Sequence, residues 1–207
     1  MGRPPGADAE KTRTELLDAA LVAFAERGFE GTSIREITGE VGVGHNLVRH
    51  YFGSKEDLWR AAVQHGLGPV ADRIARLLQP SQDTTAEQAL RAGLAVVLTE
   101  ATANPAAFRL LITEALRGGS RFDEMYDDVI APLAAVVFNY VGAVSSDLAD
   151  VDPRLLGVFV FGAVLSPFSF EGLVNRLQLR APRTGALRQE HADQLISIIL
   201  SGLIRRP

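Results

Sequence analysis

Residues 31–57 read GTSIREITGEVGVGHNLVRHYFGSKED, and the placing of hydroxyls and glycines in this stretch decides the fold. Thr32-Ser33 offers a helix N-cap, because a hydroxyl there accepts a backbone N–H that has no partner inside the helix. Ile34 and Ile37 mark the inward face of a short helix ending near Gly39. Val41-Gly42-Val43-Gly44 spells a tight turn, in which glycines permit a sharp reversal while both valines still pack. A second short helix is expected over His45 to Phe52. Ser54 then caps the next, with Glu56 and Asp57 in its first turn, where negative charge complements the helix dipole.

The surrounding chain extends the helical reading. From Ala9 to Arg27, Leu16, Leu17, Ala20, Leu21 and Phe24 recur at three- and four-residue spacing among charged side chains, the pattern of an amphipathic helix. Gly28 is a natural C-terminal cap and Phe29 its hydrophobic contact. Downstream, Leu58, Trp59, Ala62 and Val63 continue an apolar stripe. Further helices are expected near 69–79, 84–103, 105–117, 120–145, 153–178 and 188–204. Pro69, Pro105 and Pro153 are read as first helical residues, and Pro132 and Pro167 as kinks or breaks. No β-type alternation, internal repeat or low-complexity tract interrupts this pattern, so the fold class is all-α.

Composition narrows the function classes. A chain of 207 residues that is 47% hydrophobic and 22% charged suits one good-sized domain, or a small domain joined to a larger one. Without cysteine there is no disulfide framework, thiolate metal site or cysteine nucleophile, and four scattered histidines argue against zinc. Neither a metal nor any other cofactor is expected. Leu155 to Phe170 is apolar but contains Gly162, Ser166 and Pro167 and is shorter than the ~20 residues of a spanning helix. With a polar N-terminus that lacks an apolar signal core, the expected location is cytoplasmic, away from any membrane. Net charge is −4, and residues 1–60 carry eight basic against ten acidic side chains, so bulk charge makes no case for nucleic acid. Any such case rests on individual positions.

Pattern alone leaves several readings open. Compact helical domains without nucleic-acid function use the same turns. For an enzyme there is no phosphate-cradling glycine-lysine loop, metal-spaced histidine pair or nucleophile elbow, and Asp123-Glu124-Asp127-Asp128 reads as a solvated face near a helix start. No catalytic residue is assigned. A purely structural dimerisation module is the third reading.

Ala19-Ala20 through Phe24, Arg27-Gly28-Phe29, Gly31 to Ile37, Gly42-Val43 and above all His50-Tyr51-Phe52-Gly53-Ser54-Lys55-Glu56-Asp57-Leu58 resemble the N-terminal domain of the tetracycline-repressor (TetR) family of bacterial regulators, in continuous order over residues 10 to 63. Residues 1–8 are read as a flexible arm, a disordered tail being the favoured reading of Gly2-Arg3-Pro4 over a minor-groove contact made by its proline-stiffened arginine. The resemblance implies a helix-turn-helix DNA-binding domain over 9–53 and a helical ligand-binding and dimerisation domain over 54–207, of which 54–66 is the connecting helix. The implied function is that of a ligand-responsive repressor. It would bind a palindromic double-stranded DNA operator as a homodimer, one reading helix per half-site, and be released by a small apolar or amphipathic effector.

The implied roles fall on particular residues. Base reading belongs to His45, Asn46, Leu47 and Arg49, with Arg35 a further candidate, since arginine can pair with guanine and asparagine with adenine. Phosphate contact belongs to Thr32, Ser33, His50, Tyr51 and Lys55. Gly44 and Arg49 depart from the serine and tyrosine common in the family, which implies a different specificity. Phe108, Leu111, Met125, Tyr126 and Phe138 are candidates for lining the effector pocket. Leu155, Phe159, Gly162, Ala163 and Ser166 share one helix face, and Leu195, Ile198, Ile199 and Gly202 form a second stripe. Either stripe could serve an intramolecular core. The resemblance implies that both pair across a two-fold axis into a four-helix bundle.

Overall fold

A computed structural model describes residues 5–79, 84–144, 152–178, 190, 193–195 and 197–198. The described residues are helical with no strand. The elements are α1 (Pro5–Arg27), α2 (Ile34–Val41), α3 (Asn46–Tyr51), α4 (Lys55–Leu77), α5 (Ala86–Ala103), α6 (Pro105–Arg117), α7 (Ser120–Met125), a π-helical turn (Tyr126–Ile130), α8 (Ala131–Val144), α9 (Pro153–Ser169) and α10 (Glu171–Arg176). They divide into two compact units, one drawn from Met1–Pro69 and Ala106–Met125, the other from Val70–Pro105 and Tyr126–Pro207.

The first unit is built on the amphipathic stripe of α1. Leu16, Leu17, Ala20, Leu21 and Phe24 are buried with Ile37 of α2, Val48 of α3, Leu58, Trp59, Ala62 and Val63 of α4, and Leu110 of α6. Gly66 of α4 permits a close approach. A Cβ there would lie 2.8 Å from Leu21 Cδ2 and 2.9 Å from Ala107 Cβ, so three helices meet at this glycine. In the second unit Ile74, Val96, Leu98 and Leu165 are buried, and Phe138 of α8 packs so closely on α9 that a Cβ on Gly157 would lie 2.6 Å from its ring.

Helix ends follow capping chemistry. Ser33 and Glu36 form a reciprocal capping box on α2, Thr85 and Gln88 another on α5, and Asp152 caps α9 with Pro153 in the first turn. Ser54 Oγ accepts the Asp57 N–H at 3.0 Å as α4 begins.

The prolines divide into two groups. Pro105 and Pro153 begin helices as expected, whereas Pro69 lies inside α4, which runs unbroken through the expected start at residue 69. Gly68 accounts for this correction, because without a Cβ one of the clashes that exclude helical geometry before proline disappears. Pro132 follows the π-helical turn, where the missing N–H leaves Asp128 without its usual donor. At Pro167 the carbonyl that loses its donor belongs to Ala163, and Ser166 Oγ donates to it at 2.9 Å, carrying α9 on to Ser169. The expected helix over 188–204 lies largely outside the described residues.

Between α1 and α2 the chain is tied from inside. Gly28 adopts φ +73°, and the Thr32 hydroxyl lies within hydrogen-bond reach of the Ala23 and Gly28 carbonyls, at 3.0 and 2.8 Å. Replacing Thr32 by valine keeps the shape and leaves these buried carbonyls short of a donor. The expected loss is about 1–3 kcal/mol of stability, measured by urea unfolding against the wild-type chain.

Candidate nucleic-acid interface

The turn between α2 and α3 has the geometry its glycines predict. Gly42 takes φ +76° and its N–H donates to Gly39 O, while Val43 N–H donates to Thr38 O at 3.0 Å, so the last carbonyls of α2 are satisfied as the chain reverses. Val48 is the fully buried anchor of α3, with Leu47, Tyr51 and Phe52 half-buried. That orientation turns His45, Asn46, Arg49 and His50 outward. His45 stands at the N-cap and makes no side-chain cap bond, so its ring is unspent.

Charge on this face differs from the bulk balance. Arg35, Arg49 and Lys55 have no ion pair among the described residues, whereas nearby acids are engaged: Glu40 faces Arg27 at 3.7 Å, Asp57 holds Arg60 at 2.7 Å, and Asp18 meets His65 at 2.8 Å. The uncommitted cations therefore gather on and around α2 and α3. A net-acidic chain can carry a cationic surface in this way.

Lys55 opens α4, where a cation opposes the helix dipole. Its Nζ lies 4.3 Å from the centre of the Phe29 ring, a cation–π contact worth about 0.5–1 kcal/mol at a half-exposed site. The Arg121 guanidinium sits on the same ring at 4.5 Å and reaches Glu30 at 3.3 Å. Behind it Glu114, 2% exposed, faces Arg117 at 3.9 Å and Arg121 at 4.0 Å, and its Oε1 makes no hydrogen bond. Arg13 of α1 adds a further cation, its guanidinium 5.4 Å from the Phe52 ring. Sequence reasoning passed over Arg13, Arg121 and the pedestal role of Phe29. Their partners lie 26 to 92 positions away, and no local spacing signals them.

Two of the expected phosphate contacts change character. Thr32 is 2% exposed and its hydroxyl is turned inward, so its side chain is a structural tether and does not reach the surface. Ser33 is exposed, but its N–H and hydroxyl both donate to Glu36, at 2.8 and 3.0 Å, so a carboxylate already occupies the start of α2. Those bonds, the backbone one first, hold the Glu36 carboxyl below its ordinary pKa of 4.5, with smaller help from Arg27 and Lys55. His50 and Tyr51 lie side by side on α3, ring centres 5.4 Å apart.

The C-terminal candidates are dispersed. Phe108, Leu111 and Met125 are buried in the first unit, while Tyr126 is exposed and Phe138 half-buried in the second. On α9 Leu155 and Phe159 stand 66% and 74% exposed, Gly162 is open, and Ala163 and Ser166 are half-buried. Ile198 is 68% exposed and Leu195 half-buried, whereas Ile199 and Gly202 lie outside the described residues. Among the described residues no three acidic or histidine side chains gather as metal ligands, and Glu124 of the acidic cluster pairs with Arg60. No single described helix is long and apolar enough to cross a membrane.

Residues 16–62 match the family model for bacterial regulatory proteins, tetR family. The chain is 32% identical over 111 residues to the HTH-type transcriptional repressor NicS of Pseudomonas putida, covering 54% of this chain and 51% of NicS. It is 32% identical over 147 residues to the HTH-type transcriptional dual regulator CecR of Shigella flexneri, covering 65% of each. The chain thus spans about half to two thirds of the length of these curated relatives. The crystal structure of HlyIIR, a hemolysin II transcriptional regulator, shares the fold with a TM-score of 0.72 at 24% identity, over 96% of this chain and 99% of that one. Residues 16–62 are thus similar to the tetR family of bacterial regulatory proteins, and NicS and CecR are transcriptional regulators.

The capping carboxylate makes a pH-dependent contribution. Because its pKa is lowered on folding, Glu36 adds stability above about pH 4.5, and this is lost as pH falls through the folded value. Glu36→Ala is therefore expected to be less stable than wild type at pH 7, with the gap narrowing as pH falls below 4.5. Urea unfolding of both chains across that range checks it.

Proposed function

We propose that this chain is a ligand-responsive transcriptional regulator, most simply a repressor, that works in the cytoplasm and binds a palindromic DNA operator as a homodimer. The observation that carries the reading is the outward face of α3. Asn46, Arg49 and unspent His45 stand on a helix anchored by buried Val48, beside the uncommitted cations Arg35 and Lys55. A major groove accepts one such helix, arginine donates two hydrogen bonds to guanine O6 and N7, and asparagine pairs with adenine. Leu47, half-buried, supplies an apolar edge for a thymine methyl. Lys55, Tyr51 and His50 serve the phosphates, and Ser33 contributes mainly through the α2 start it organises.

A two-fold dimer presents two such helices about one helical turn of DNA apart. The exposed apolar row Leu155, Val158 and Phe159 on α9 supports that dimer, since isolated apolar side chains are ordinary on a surface but a contiguous row calls for a partner. Effector binding among the helices after residue 66 acts by population shift, favouring the state with weaker operator affinity. The lever runs along α4, which contributes residues to both units.

Selection of duplexes from a random pool by the purified chain tests the reading: a palindromic winner supports it, and no enrichment defeats it. On the winning duplex, Arg49→Ala should cost about 1–3 kcal/mol and relax the preference at one position, whereas Lys55→Ala should weaken all sequences and reduce the salt slope by about one unit. Binding isotherms across a salt series separate the two. If Arg49→Ala keeps the preferred sequence unchanged, Arg49 does not read a base. Phe159→Asp should convert dimers to monomers in sedimentation equilibrium at micromolar concentration, with the helical circular dichroism retained. A dimer that persists would place the interface elsewhere.

A further inference from the structure

A groove of about 620 Å³ opens on the second unit between the end of α4 and α5, bordered by Arg73, Arg76 and Leu77 on one side and Ala92, Ala95, Val96 and Thr99 on the other. The volume falls within the range of small-molecule sites, roughly 300–1,000 Å³. The spacing of its borders explains its shape. Residues 73, 76 and 77 share one face of α4, while 92, 96 and 99 share one face of α5, where alanine keeps the floor low. Leu77 is 37% exposed, an apolar wall that the fold leaves uncovered, and Val96 closes the base.

The polar groups are not spent equally. Arg73 is neutralised by an ion pair with Glu100, whereas Arg76 has no ion pair and Thr99 no hydrogen bond among the described residues. The groove therefore combines an apolar floor with one uncommitted guanidinium and one uncommitted hydroxyl. A guanidinium presents a planar fork matching a carboxylate, and a hydroxyl can donate to a carboxylate oxygen. A cationic ligand would meet repulsion from Arg76, which is exposed, and a neutral apolar one would gain nothing from it.

We propose that this groove binds an aliphatic carboxylate, its head on Arg76 with Thr99 and its chain along Leu77, Ala92 and Val96, and that this ligand class is the effector. The effector role rests on the regulator reading above, while the binding site stands apart from it. None of Phe108, Leu111, Met125, Tyr126 or Phe138 borders this groove.

The probe is decanoate, titrated calorimetrically into the full-length chain, with decanol and decyltrimethylammonium as matched neutral and cationic chains. Saturable binding of one decanoate per chain is expected, at least tenfold tighter than either control, with affinity rising by up to about fourfold per added methylene. Arg76→Gln should weaken decanoate binding tenfold or more, Arg76→Lys should recover part of that loss, and Ala95→Phe should fill the groove and abolish binding. Equal binding of decanol, or wild-type affinity in Arg76→Gln, overturns the site. Addition of decanoate to the complex with the selected duplex tests the role, and the expected result is release. If decanoate binds through Arg76 but leaves duplex affinity unchanged, the effector role falls and the carboxylate site stands. Failure of the ligand-free chain to select any duplex overturns the regulator reading instead.

Discussion

The connection between the first two helices depends on a tether made within ten residues. Gly28 takes the left-handed conformation that ends α1, and the Thr32 hydroxyl reaches back to the carbonyls of Ala23 and Gly28. These contacts hold the entry to α2 against the end of α1 before any long-range packing is counted. Ser33, the next residue, turns outward and caps α2 through its exchange with Glu36. Two adjacent hydroxyls thus divide the work, one locking the turn from inside and the other starting the helix from outside. The orientation of α2, and through the Gly42 turn that of α3, follows from this division.

The cations of the candidate interface are available because several acids of the first unit are engaged elsewhere. Glu40, Asp57 and Asp18 each have a basic neighbour, and Glu36 is committed to the cap. Lys55 is held by an aromatic ring, which leaves its charge unneutralised. A carboxylate in that place would orient the ammonium just as well but would cancel its attraction for a phosphate. Phe29 also receives Arg121, so its ring joins the start of α4 to α7 through contacts that use no carboxylate. Glu114 completes the arrangement from beneath. Its burial would be costly alone, and two guanidiniums at 3.9 and 4.0 Å are its compensation.

What the sequence disclosed and what it concealed divide along contact distance. Helix starts at Ser33, Ser54, Pro105 and Pro153 are legible because their causes lie within three or four residues. The capping box of α5 was open to the same reading, since Thr85 and Gln88 stand at the required spacing. The outward face of α3 was likewise legible, because one buried valine fixes the register of so short a helix. Thr32 was misassigned because two neighbouring hydroxyls have the same chemistry, and only the fold decides which one meets the Ala23 carbonyl. Pro69 was misplaced because a proline after glycine carries two local signals of opposite sign. The rule for helix starts outweighed the relief that a missing Cβ provides inside a helix. Phe29 as a seat for Lys55 and Arg121 had no local signal at all.

Pro69 marks the point at which α4 passes from one unit to the other. α4 supplies Leu58, Trp59, Ala62 and Val63 to the first unit and Val70 and Ile74 to the second, and the division falls just after the proline. A proline inside a helix removes one backbone hydrogen bond and crowds the preceding turn, so helical continuity is weakest at this point. The glycines at 66 and 68 sit in that same turn. Gly66 is held by Leu21 and Ala107, whereas Gly68 meets only the side chain of Gln64 within its own helix. The segment before Pro69 is thus clamped on one face, while the segment after it carries Arg73, Arg76 and Leu77 into the groove. The residues that make α4 locally imperfect are therefore also the ones at which its packing passes from the first unit to the second.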